Sequence, residues 1–148
     1  MRALALAFAV VVLFAPAPGR AEPVSNDRVL ALDGETIRID GKQPDIRLVG
    51  FKTPDTTDAH CAKERELGEK AASRMRDLIR AGRLDFRPVA CPCPAGTEGT
   101  EACNRGRKCG TLRVDGRKVG AILIRERLAV PFLCGLSRCP KTPRPWCG

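Results

Sequence analysis

The chain has 148 residues, with 26 lysines and arginines against 17 acidic residues, a net charge of +9, eight cysteines and no tyrosine. That length supports one domain with its own core and is too short for two comfortable ones. The charge favours a polyanionic partner, because a cationic surface attracts polyanions and releases their counterions, with a solvated cationic surface that serves no partner as the alternative.

Arg2 is followed by an apolar run, residues 3–15, and then by APAPGRA. A positive start, a short apolar stretch and a small-residue exit are the layout of a secretory leader. The run is too short to span a bilayer. Cleavage is expected near Ala21, with Ala17 as the alternative, so residues 1–21 are read as a signal peptide. What remains carries 24 basic and 17 acidic residues, a net charge of +7. The expected address is periplasmic or secreted.

Beyond the leader, RVLALDGETIRID alternates apolar and polar residues about an Asp-Gly pair, which predicts two strands and a tight turn. A second Asp-Gly, Asp40-Gly41, leads into IRLVGF, a third strand, so the three form an antiparallel meander. Pro54 ends pairing because it has no N–H to donate. From about Lys63 to Ala81 the period becomes helical: Leu67, Ala71, Met75, Leu78 and Ile79 share one face, and Gly82 follows as a stop. RLDFRPV is a fourth strand, with Leu84, Phe86 and Pro88 on one face, and CGTLRVDG is a fifth. A shorter helix is expected near Val119 to Arg127, with Val119, Ile122, Leu123 and Ile124 as its apolar positions. The tail, residues 131–148, is rich in Pro and Cys and is expected to be held by crosslinks more than by secondary structure.

Five strands with a helix between the third and fourth predict a small barrel with helices (α+β), since an open meander leaves edges and one apolar face uncovered. The fold expected is a five-stranded OB barrel over residues 22–130. The cysteines, Cys61, Cys91, Cys93, Cys103, Cys109, Cys134, Cys139 and Cys147, are even in number in an exported chain and read as disulfides. Eight cysteines allow 105 pairings, so connectivity stays open. Zinc is the rival reading, but Cys91 and Cys93 have one residue between them where zinc pairs have two to four.

The blocks DGETIRI, IRLVGFKTPD, E-x-x-L-G-E-K-A, NRGRKCGTLRVDGRKVGAILI and ERLAV, in that order from about Arg28 to Val130, resemble the staphylococcal nuclease (thermonuclease) family. The resemblance implies an OB barrel that cleaves DNA and RNA phosphodiesters with calcium. It implies that Arg47 and Arg107 bind and polarise the phosphate, work that suits a guanidinium because it donates bidentately and stays charged. The family's general base falls on Asp55, an aspartate where the family has glutamate, and shorter by one C–C bond, ~1.5 Å.

The calcium positions fall on Glu35, Lys52 and the carbonyl of Thr53. Glutamate can serve calcium. Lys52 cannot, because an ammonium has no lone pair and repels a divalent ion. Three readings therefore compete: a slow or metal-independent nuclease in which Lys52 supplies part of the missing charge, a binder of nucleic acid or nucleotide phosphate, and a site where Lys52 swings away and Glu35 and Asp55 recruit calcium.

Arg105 stands where the family has a phosphate-contacting tyrosine, which makes Lys52 and Arg105 further phosphate-binding candidates beside Arg47 and Arg107. Phe132 and Trp146 are the candidates to stack on a base, though packed apolar surface is the more ordinary role of each. His60 is expected on the surface. The expected partners are nucleic acid or nucleotides, bound by a monomer without stable membrane association.

Overall fold

The structure, a computed structural model, describes residues 20–148; the expected leader, save its last two residues, lies outside them. Strands β1 (Glu22–Val24), β2 (Val29–Ala31), β3 (Thr36–Ile39), β4 (Ile46–Leu48) and β5 (Gly50–Lys52) precede helix α1 (Ala62–Ala81). After it come β6 (Leu84–Val89), β7 (Lys108–Val114), β8 (Arg117–Lys118), helix α2 (Val119–Arg125) and β9 (Val130–Phe132). The main sheet has the order β1-β6-β7-β4-β3-β2, with β8 on β7, and curls into a half-barrel; β5 and β9 form a separate two-stranded ladder.

The predicted meander is present, with β2-β3 and β3-β4 both antiparallel. The third strand is not continuous: β4 pairs parallel to β7, then the chain turns at Val49 and Gly50, and β5 pairs with β9 instead. Gly50, at φ 97°, makes the change of direction at low steric cost. Asp115-Gly116, with φ of 50° and 75°, is the left-handed pair that closes the β7-β8 hairpin. Strands β1, β8 and β9 were not expected; they are two or three residues long, too short for a period-2 pattern to register.

Helix α1 lies where its periodicity put it. Its buried stripe is Glu64, Gly68, Ala71, Ala72, Met75, Leu78 and Ile79, so the first turns bury a carboxylate and a glycine, while Leu67 is half-buried. The helix ends as expected, with the Gly82 N–H donating to the Leu78 carbonyl. The core beneath it contains Ile37, Leu48, Phe51, Leu112, Val114, Val119, Ile122 and Leu123. In β6, Leu84 is buried and Phe86 half-buried, but Pro88 is exposed, at the strand end beyond the β1 pairing.

All eight cysteines are paired: Cys61–Cys147, Cys91–Cys109, Cys93–Cys103 and Cys134–Cys139. The zinc reading fails for lack of a free thiolate. Cys61, Glu64 and Cys147 do cluster, but the two sulfurs are joined to each other and cannot serve as thiolate ligands. Two bonds fasten the loop before β7, one closes a small ring in the tail, and the longest ties the chain end to the start of α1. Among the described residues no helix is long and apolar enough to cross a membrane.

Candidate phosphate cleft

A cleft of about 740 Å³ opens where the β2-β3 turn, β4, the end of β5, the loop before β7 and the tail meet. Its size lies in the range of small-ligand sites. Asp33 shapes the turn, accepting hydrogen bonds from the backbone N–H of Glu35 and of Thr36, both at 2.7 Å. That turn aims the Glu35 side chain inward. Glu35 is also fastened through its carbonyl, which accepts from the Leu48 N–H at 2.8 Å.

Each oxygen of the Glu35 carboxylate is engaged. Oε2 accepts from the Thr53 N–H at 2.8 Å and lies 2.7 Å from Arg47 Nη1; Oε1 lies 3.1 Å from Lys52 Nζ. The Arg47 contact is off the N–H axis, so it is a charge contact without a directed hydrogen bond. Arg47 also donates through Nη2 to the Phe51 carbonyl at 3.2 Å. Lys52 continues the row with an ion pair to Asp55 Oδ1 at 2.6 Å.

The row does not stop there. Arg144, from the tail, reaches Asp55 Oδ2 at 3.1 Å and Glu64 Oε1 at 3.0 Å, and donates to the Asp58 carbonyl at 2.6 Å. Glu64 is fully buried and accepts from the His60 N–H at 2.8 Å. Burial pushes its carboxyl up, but the backbone N–H groups of His60 and Asp55, with Arg144, outweigh this and hold it below its usual range. The result is an alternating chain, Arg47–Glu35–Lys52–Asp55–Arg144–Glu64, of three cations and three carboxylates.

Arg107 stands outside that chain. It donates to Thr36 Oγ1 at 2.9 Å and to Asn104 O and Oδ1 at 3.1 Å each, and it makes no ion pair among the described residues. Burial first, and the like charge of Arg47 second, lower its pKa. A half-buried guanidinium beside a second one, with only neutral hydrogen-bond acceptors, is a place where an anion is favoured. Arg105, at φ 57°, lines the same cleft but is exposed, 3.6 Å from the exposed Asp58.

Arg47, Asp55 and Arg107, expected from three separate segments, line this one cleft, together with Glu35, Lys52, Thr53 and Arg105. The expected calcium ligands are otherwise occupied: Lys52 Nζ lies between the Glu35 and Asp55 carboxylates and pairs with both. Lys52 is 6% exposed and paired on both sides, pointing into the cleft wall and not out to solvent. The residues present do not fit calcium. Phe132 lines the cleft, whereas Trp146 is packed in the interior and is not a stacking surface. His60 is exposed, as expected.

Sequence reasoning missed two members. Arg144 was hidden in a tail without period or motif. Glu64 is the first residue of the E-x-x-L-G block and stands three positions after Cys61, whose sulfur accepts from the Glu64 N–H at 3.4 Å; that N-cap spacing was the available signal. No family model matches the chain, and no curated protein matches it.

Proposed function

We propose that this is an exported, monomeric protein of the staphylococcal nuclease type, built on an OB barrel, that takes nucleic-acid phosphodiesters into the cleft and hydrolyses them slowly without a divalent ion. The carrying observation is the convergence of Arg47, Arg107 and Asp55 on one cleft, with Arg107 making no ion pair among the described residues. Support for the barrel comes from the curled sheet, the β2-β3-β4 meander and the parallel β4-β7 pair that joins that meander to β6 and β7. The four disulfides fit an oxidising compartment and so support the export reading.

In this reading Arg107 donates to the non-bridging phosphate oxygens and stabilises the charge that grows on them in the transition state. Arg47 adds positive potential from below, spent largely on Glu35. Asp55 accepts the proton of the attacking water. Lys52 supplies, as a fixed ammonium, part of the charge a metal would bring. The reaction is slow because both Asp55 oxygens are engaged, Oδ1 by Lys52 and Oδ2 by Arg144, and one must come free before it can meet the attacking water.

The same Asp55 contacts favour a second reading, in which the cleft binds phosphate and cleaves nothing. Release of acid-soluble nucleotides from DNA and RNA, with calcium and with chelator, distinguishes the two, alongside titration with a nucleoside 3′,5′-bisphosphate. Release that chelator leaves unchanged supports hydrolysis. Saturable binding without release leaves the binder. A strict calcium requirement overturns the metal-free mechanism, and absence of both binding and release overturns the phosphate cleft.

A further inference from the structure

We propose that Arg144 is the positioning residue that cancels and holds the charge of Asp55, so that the cleft accepts a phosphate anion with no metal ion; this rests on the reading of the cleft as a phosphodiester site. The alternating chain is neutral only because Arg144 belongs to it. Without that guanidinium, three carboxylates face two cations, and Asp55 and Glu64 lose the positive group that stands between them. Glu64 cannot shed its charge easily, since backbone N–H groups of His60 and Asp55 hold it ionised. The surplus negative charge then sits at the mouth of the cleft, where Asp55 is part-exposed, and repels an incoming phosphate.

The tail is built to deliver this one side chain. Cys147, three residues on, is bonded to Cys61 at the N-cap of α1, and Trp146 between them is 6% exposed. A single terminal nitrogen of Arg144 meets the Asp58 carbonyl, Glu64 and Asp55, so the guanidinium is located by a backbone group and a buried carboxylate before Asp55 is counted. Lys52 cannot take over, because it already lies between Glu35 and Asp55.

The test titrates the oxidised, full-length protein and its variants with a nucleoside 3′,5′-bisphosphate in the presence of chelator, with melting curves to verify folding. Arg144→Gln, which keeps an N–H donor for Glu64 and loses the charge, should weaken binding about tenfold at low salt, and much less at high salt. Arg144→Lys should stay within about threefold of the unmodified protein, because it keeps the charge. Adding Asp55→Asn to Arg144→Gln should restore affinity to within about threefold, because the uncompensated charge is gone.

Unchanged affinity in Arg144→Gln overturns the inference while leaving the cleft intact. So does failure of Asp55→Asn to restore binding, which would mean that Arg144 holds the phosphate itself. No binding by the unmodified protein overturns the phosphate cleft, and this inference with it. Should Arg144→Gln not fold, Cys61→Ser/Cys147→Ser carries the test: it frees the tail, keeps an oxygen at the N-cap, and should show the same tenfold loss. Retained affinity there, with the tail released, counts against the inference.

Discussion

Lys52 is almost wholly buried, yet its charge is matched on two sides by Glu35 and Asp55. An ammonium in that position excludes a divalent ion twice over, by filling the space and by repulsion. Lys52→Asp should therefore reverse the preference. Without calcium the variant gathers three carboxylates and should lose roughly 3 kcal/mol of stability, or roughly 10 °C in Tm. Millimolar calcium should restore several degrees, whereas the unmodified protein should not respond. A melting series with and without calcium checks this, and a variant that calcium does not rescue would show that Lys52 is not what bars the ion. Arg107 is the contrasting cation, since its partners are neutral. Arg107→Ala should leave the fold in place and weaken bisphosphate binding by about 2 kcal/mol, about thirtyfold. Arg47→Ala should instead lower Tm, because Arg47 pairs with the buried Glu35. Equal effects of the two substitutions on Tm would contradict this division of labour.

Helix α1 packs behind the cleft, against the backbone of Pro54 and Asp55, which line it. Gly68 lies in its buried stripe, and a Cβ there would come within 2.8 Å of the Pro54 carbonyl oxygen and 2.9 Å of that of Asp55. Both neighbours are backbone, so they cannot turn aside as a flexible side chain can. Gly68→Ala gains ~1 kcal/mol of helix propensity but pushes the 54–55 segment off the helix. The expected net is a loss of about 1–3 kcal/mol, with a fall in bisphosphate affinity because Asp55 moves relative to Lys52 and Arg144. Chemical denaturation measures the first and titration the second; a stabilised variant with unchanged affinity would show that the close approach is unimportant. The helix was legible in the sequence because Ala71, Met75, Leu78 and Ile79 repeat at 3.6 residues and bury as a stripe. Glu64 in that stripe was not, since periodicity weighs apolarity and a buried carboxylate reads as a solvent-facing residue. Its burial is supported by the backbone N–H groups of His60 and Asp55 and by Arg144, the last a contact across 80 residues that no local pattern encodes.

At the scale of the molecule, the meander, the order of helix and strands and the use of cysteine for crosslinking follow from turn pairs, hydrophobic period and the even count. The β4-β7 parallel pairing and the β5-β9 ladder do not, because each is decided by packing between segments far apart in the chain. The same holds for the disulfides: the composition implies them, whereas the partner of Cys61 depends on where the tail comes to rest. That bond encloses a loop with a sequence separation of 86, against 5 for Cys134–Cys139. Loop-closure entropy makes its contribution about 4–5 kcal/mol and that of the tail ring about 2 kcal/mol. Cys61→Ser/Cys147→Ser should lower Tm clearly more than Cys134→Ser/Cys139→Ser, and the reverse order in scanning calorimetry would mean that tail docking matters little to stability.

Acid should act on the same docking. The folded protein holds the Glu64 carboxyl below its unfolded value, so the stability this contributes is fully present above the unfolded pKa, near 4.5, and is lost as pH falls through the lower folded value. Asp40, Glu66 and Glu126 are shifted in the same direction, but each is paired at or near the surface, where such pairs contribute little. Tm should therefore hold steady from pH 7 to about 5 and decline below that, and Glu64→Gln should flatten the decline while lowering the plateau. A decline of the same steepness in Glu64→Gln would place the acid-sensitive group elsewhere and leave the Glu64–Arg144 contact without a part in fastening the tail.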